Sequence, residues 1–219
     1  MVDLIKIIAD LFLHLDKYLF GIVEQYGIFT LVILFIVIFA ETGLVVTPFL
    51  PGDSLLFAAG ALAAGGALPI VGIYILLVLA AFLGDTANYW IGHYVGPMAF
   101  EGKSRLFKKE HLNKAHHFYE KHGGVAIIIA RFVPIVRTFA PFVAGIAKMN
   151  YWHFLSYNLI GGVVWVSLFV FAGFFFGNLP IVKENFHYTV LIIILISIGP
   201  ILHQWYKHQR EKRRLQRSN

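Results

Sequence analysis

Apolar residues run along this chain in long blocks, and the blocks differ in how they are interrupted. A helix needs about 20 apolar residues to cross a bilayer core. Three blocks meet that length without a break: 68–91, 153–177 and 186–206. Two others are equally apolar but broken. The stretch 27–66 carries Pro48, Pro51 and Gly52 in its middle, and 123–147 carries Pro134 and Pro141. Between Gly27 and Ala40 there is room for about 21 Å of helix, short of the roughly 30 Å hydrocarbon core. The following piece, Asp53 to Ala64, is shorter still. Both broken stretches therefore predict re-entrant helical hairpins. Residues 3–20 show another pattern. Leu4, Ile7, Ile8, Leu11, Phe12, Leu15 and Leu19 share one helical face among polar residues, which predicts an amphipathic helix, at the membrane interface or packed.

Charge turns this pattern into a topology. The 219 residues are 58% hydrophobic and only 14% charged, a composition that excludes disorder and an ordinary soluble domain. Mean hydropathy is +0.73. Net charge is +6, and most charges lie in three zones. Segment 101–122 holds six basic and three acidic residues, and the tail 207–217 holds six basic residues and one acid. Both should face the cytoplasm. Blocks 153–177 and 186–206 supply the two crossings between them, so 123–147 must turn back. The same argument, run backwards through 68–91 and 27–66, places the N-terminus outside. Cysteine is absent, which excludes disulfides and thiol chemistry.

The fold expectation is a single all-α polytopic membrane domain over 1–219. It is an inverted repeat of interfacial helix, re-entrant hairpin and spanning helix. The first copy covers about 1–92 and the second about 101–177. One further spanning helix follows at about 186–206, then a basic cytoplasmic tail, 207–219. Thr47–Gly52 (TPFLPG) against Ala140–Gly145 (APFVAG) is a faint echo between the copies. Inverted repeats with discontinuous helices are a transporter pattern.

A few ionisable residues remain inside the apolar blocks, where charge is expensive and usually functional. Glu41 ends the first half-helix, facing the negative end of its dipole, and burial disfavours its charged form. A proton-binding role is expected, with a structural salt bridge as the alternative. Asp53 opens the second half-helix and assists, or else caps it. In the second hairpin Arg131 and Arg137 flank Pro134. Their planar guanidinium forks match phosphate oxygens, and Thr138 adds a hydroxyl donor. The alternative is that both arginines only neutralise Glu41 and Asp53. Asp85, near the cytoplasmic end of its block, is an accessory candidate that equally fits snorkelling or a packing hydrogen bond. Gly84 and Gly92 fit close helix packing, and with it a homodimer. Asn158 and Trp165 fit packing or lining roles. Pro48, Pro51, Gly52, Pro134 and Pro141 shape the hairpins. The histidines at 111, 116, 117 and 122 match no metal spacing, and no cofactor or nucleic-acid partner is expected.

ETGLVVTPFLPGDSLLFAAGALA, GDTANYWIG, FYEKHGG and ARFVPIVRTFAPFVAG together resemble the DedA family of bacterial inner-membrane proteins, within the wider VTT or SNARE-associated group. The similarity runs nearly end to end, close enough to suggest an orthologue of the member that names the family. The resemblance implies flipping or scrambling of polyprenyl-phosphate carriers or of phospholipids such as phosphatidylethanolamine, with dependence on the proton-motive force. It also implies that Glu41, Asp53, Arg131 and Arg137 are the functional acids and arginines. The expected activity is non-enzymatic: a flippase for an anionic lipid carrier, undecaprenyl phosphate above all, with lipid and protons as partners. A phosphatidylethanolamine flippase and a proton-coupled small-cation antiporter are alternatives. A lipid phosphatase lacks a hairpin histidine to act as nucleophile, and a scaffold leaves the buried acids unexplained.

Overall fold

The computed structural model describes residues 21–44, 52–101 and 123–195, apart from positions 24, 187, 190 and 194. Every regular element among these residues is helical. A 3-10 turn leads into α1 (Thr30–Gly43); α2 (Gly52–Ala64) and the long α3 (Ile70–Glu101) follow. Then come α4 (Val125–Ala130), α5 (Pro134–Ile146), the long α6 (Tyr151–Phe176) and the short α7 (Pro180–Glu184). Two short helices and one long helix thus occur twice in succession. The interfacial helix 3–20, Pro48, Pro51, the linker from 102 to 122 and the basic tail lie outside the described residues. The third expected span is described only as far as residue 195.

Among the described residues, two helices are long and apolar enough to cross a membrane, over Ile70–Val95 and Tyr151–Phe176. Their faces are those of an all-α membrane protein. On α3 the outward stripe is Val71, Ile75, Leu79 and Leu83, all exposed and all apolar. The inward stripe carries Asp85, Asn88 and Tyr89, all buried. On α6 Leu159, Ile160, Val164 and Leu168 face out, while Asn158 and Trp165 are fully buried. Polar groups inside and apolar groups outside are what a lipid solvent demands. Aromatic rings from Tyr89, Trp90, His93, Tyr94, Tyr151 and Phe154 gather where the far end of α3 meets the start of α6. Such a belt suits a membrane–water interface. Asn150 starts α6 by accepting from the backbone N–H groups of Trp152 (3.0 Å) and His153 (3.2 Å).

The short helices pack crosswise. Helix α2 lies on α6 of the other half, and α5 lies on α3. Both contacts are backbone to backbone and depend on glycine. A Cβ on Gly60 would collide with the Val170 carbonyl, and one on Gly173 with the Phe57 carbonyl. In the other pair, Gly145 meets the Tyr89 carbonyl and Gly92 the Phe142 carbonyl. Gly84 lies equally close to Thr42 on α1. Gly84 and Gly92, the residues that motivated a homodimer, are thus taken up within the chain. Helix α2 ends at Gly66, whose φ of 77° allows the Ala67 N–H to reach the Leu62 carbonyl at 3.2 Å. Helix α5 ends in the same turn at Lys148, with φ 51°.

Several expectations are corrected. Pro134 does begin a helix, at the first-turn position where its missing N–H costs nothing. Pro141, expected to break the second hairpin, instead lies inside α5. Neighbouring helices make a proline tolerable at this depth. The echo between Thr47–Gly52 and Ala140–Gly145 is not a structural correspondence: Gly52 opens α2, whereas Gly145 lies one residue from the end of α5. Lys183 and Glu184, between the blocks 153–177 and 186–206, sit on α7. Helix α3 runs on well past residue 91, so Asp85 is not near the end of its span.

Candidate functional site

Glu41 and Asp53 flank the gap in the first hairpin. Glu41 is the third residue from the end of α1, and Asp53 is the second of α2. The Glu41 side chain is fully buried, on the same stripe of α1 as Thr30, Leu34 and Ile38. It does not face the dipole of its own helix alone. Its Oε1 accepts from the Gly52 N–H, 3.2 Å away, at the positive end of α2. One carboxylate thus ties the two half-helices together across the break. A Cβ at Gly52 would overlap the Glu41 carboxylate, so glycine here is what lets that side chain sit against the α2 N-terminus.

Arg137 stands in the first turn of α5 and reaches into this break. Its Nη2 pairs with Glu41 Oε1, and its Nη1 donates to Asp53 Oδ1 at 2.6 Å. The arginine is buried, Glu41 completely so, while the Asp53 side chain retains 14% exposure. Asp53 therefore acts as an ion-pair partner here, more than as the simple helix cap considered above.

Arg131 does not join them. It lies in the turn between α4 and α5, and its Nη2 pairs with Asp85 on α3 and donates to Asn158 Oδ1 on α6 at 2.5 Å. The snorkelling alternative for Asp85 is corrected: the residue is buried, fifteen residues into α3 from Ile70 and ten before Val95. At 1.5 Å per residue that is roughly 22 Å and 15 Å from the two ends of the span. Arg131 lies against Gly161 and Gly162 of α6, where the missing side chains make room for its guanidinium.

A single aromatic ring joins the two ion-pair groups. The Trp165 centroid is 5.7 Å from Arg131 Cζ and 4.8 Å from Arg137 Cζ. Its indole N–H donates to Asp53 Oδ1 at 2.9 Å. Asn88, on the same face of α3 as Asp85, donates to the carbonyls of Thr42 (3.0 Å) and Thr138 (2.7 Å). It holds the end of α1 against α5. Thr138 is buried beside Arg137 and enters this arrangement through its backbone.

Glu41, Asp53, Arg131 and Arg137 thus belong to one buried network, and Asp85, Asn88, Asn158 and Trp165 complete it. Sequence reasoning undervalued the last four. The available signal was their spacing: Asp85, Asn88 and Tyr89 recur at i, i+3, i+4, and Asn158 and Trp165 at i, i+7, each within an apolar helix. Among the described residues the network sets three carboxylates against two guanidinium groups. Among the described residues, Glu41 Oε2, Asp85 Oδ1, Arg137 Nε and Arg131 Nε and Nη1 are buried without hydrogen-bond partners.

The VTT domain family model matches residues 50–175, which include Asp53, Asp85, Arg131, Arg137 and Trp165. Protein DedA of Escherichia coli K12 is 50% identical over 211 residues, covering 95% of this chain and 96% of that protein. The chain belongs to the DedA family. Among other DedA relatives, an uncharacterized membrane protein of Mycobacterium tuberculosis H37Rv is 45% identical over 170 residues, 76% of this chain and 74% of that one. Inner membrane protein YqjA of E. coli K12 is 35% identical over 167 residues, 76% of each. No solved structure matches. The similarity to DedA spans nearly the whole of both chains, as expected for an orthologue.

Proposed function

We propose that this DedA-family protein moves an anionic lipid carrier, undecaprenyl phosphate as the first candidate, between the leaflets of the bacterial inner membrane, coupled to protons. The observation that carries the proposal is Arg137, buried in the gap of a broken hairpin between two carboxylates. Among the described residues, the surrounding network sets three carboxylates against two guanidinium groups. A proton is a partner that a carboxylate in this network could take up and release. Protonation of Glu41 would release Arg137 Nη2, and a phosphate oxygen would then take the vacated donor. Arg131, with Nε and Nη1 unpartnered, and Thr138 would complete the phosphate site. Ionisation of Glu41 would reclaim Arg137 and expel the phosphate. The crosswise pairing of α2 with α6 and of α5 with α3 supports two halves related as an inverted repeat around this site.

The test is transfer of a fluorescent polyprenyl phosphate between leaflets of proteoliposomes under an imposed pH gradient. Wild-type protein should accelerate transfer, Arg137→Ala should abolish it, and Glu41→Gln should remove its dependence on the gradient. Undiminished, gradient-sensitive transfer in both variants would overturn the mechanism. The excess carboxylate equally favours a second reading, a proton-coupled small-cation antiporter. Cation-driven pH change in the same vesicles, with no lipid transfer, would select it. Transfer of labelled phosphatidylethanolamine in place of the polyprenyl phosphate would reassign the lipid.

A further inference from the structure

We propose that Trp165 is a positioning residue of this site, holding Asp53 in place while Arg137 changes partners. The inference rests on the transport reading above and adds a residue to it. A tryptophan that only filled the core would need burial and nothing more. Trp165 has burial and three polar contacts besides. Its Nε1–H shares Asp53 Oδ1 with Arg137 Nη1, the two donors at 2.9 and 2.6 Å. Its ring faces both guanidinium groups, at 4.8 and 5.7 Å. These contacts have different consequences when Arg137 turns to a phosphate. The indole N–H stays on Asp53, so the carboxylate does not follow the arginine. The ring meanwhile gives both arginines a common apolar and electrostatic surface that does not depend on which anion they hold. Among the described residues, the ionisable groups facing this arrangement are Glu41 from α1, Asp53 from α2, Asp85 from α3, Arg131 from the turn before α5, and Arg137 from α5.

The proposal is tested on the full-length protein in lipid nanodiscs with ¹⁵N-labelled indoles. The sequence has four tryptophans, and loss of one signal in Trp165→Phe assigns the resonance. In wild type the Trp165 N–H signal should move between two positions as pH falls. In Glu41→Gln it should stay at the low-pH position throughout. A signal that ignores pH, or that titrates identically in Glu41→Gln, overturns the proposal. In proteoliposomes carrying fluorescent polyprenyl phosphate, Trp165→Phe keeps the ring and loses the donor. It should lower the maximal rate about ten- to a hundredfold and alter its pH profile, with half-saturation unchanged. Trp165→Leu should raise half-saturation as well. Wild-type protein that shows the indole titration but no lipid transfer would sink the transport reading and leave the coupling of Trp165 to the acids standing. Trp165→Phe with wild-type rate and pH profile would sink the positioning role alone.

Discussion

Gly52 owes its identity to Glu41. Because a Cβ there would overlap the carboxylate, Gly52→Ala should drive Glu41 out of its hydrogen bond to the α2 N-terminus and away from Arg137. The expected outcome is protein that inserts normally but transfers lipid no better than Glu41→Ala, measured by the same vesicle assay. The Arg131–Asp85 pair should behave differently, as a matter of stability. Asp85→Ala leaves a buried guanidinium without its carboxylate, at a cost of about 3–5 kcal/mol. Combining Asp85→Leu with Arg131→Met removes both charges and should restore most of that loss, read as the unfolding midpoint in detergent. Sequence alone singled out Glu41, Asp53, Arg131 and Arg137, because ionisable residues inside apolar blocks stand out. It did not reveal which acid each arginine takes. Arg137 and Glu41 lie 96 positions apart, and Arg131 and Asp85 lie 46 apart, on separately placed helices. Trp165 was undervalued for a related reason: in an apolar block an indole looks like any other large hydrophobe until its N–H has a partner.

At the scale of helices, the glycines carry the architecture. Gly173→Val would place its side chain on the Phe57 carbonyl, a rigid group that cannot move without shifting α2. It should lower stability by about 1–3 kcal/mol or more and reduce the yield of folded protein. Gly72 is the control. A methyl group there meets only Pro69 Cγ at 3.4 Å, and Gly72→Ala should be neutral or stabilising by about 0.5–1 kcal/mol, since it favours the helix. Both are read by thermal unfolding of purified protein. The existence of two broken hairpins was legible because apolar runs with a proline-rich interior are too short to span. Their internal geometry was less legible. Pro134 and Pro141 look alike in a sequence, yet one starts α5 and the other lies within it. Only the neighbouring helices decide that difference.

For the whole molecule, the charge zones predict an orientation, with the linker, the start of α6 and the C-terminus cytoplasmic, which labelling can test. The chain contains no cysteine, so single cysteines can be placed on a clean background. Lys148 and Lys183 are both exposed and lie at opposite ends of α6. Lys148→Cys should react with an impermeant maleimide only from the cytoplasmic side, and Lys183→Cys only from the other. The reverse labelling would invert the topology, and labelling of both from one side would mean that α6 does not span.

The crosswise packing also sets an order of assembly for the nascent chain. Helix α2 leaves the ribosome long before α6, its packing partner: Trp165 follows Asp53 by 112 residues. Arg137 follows Glu41 by 96 and Asp53 by 84. Until Arg137 is made, therefore, the two acids lack the arginine they pair with, and the bare glycine surface of α2 has no helix to cover it. The first hairpin must wait at the bilayer surface, or within the insertion machinery, until the second hairpin arrives. A chain truncated after α3 should then stay in the membrane through α3 but be quickly degraded, whereas one that ends beyond α6 should be retained.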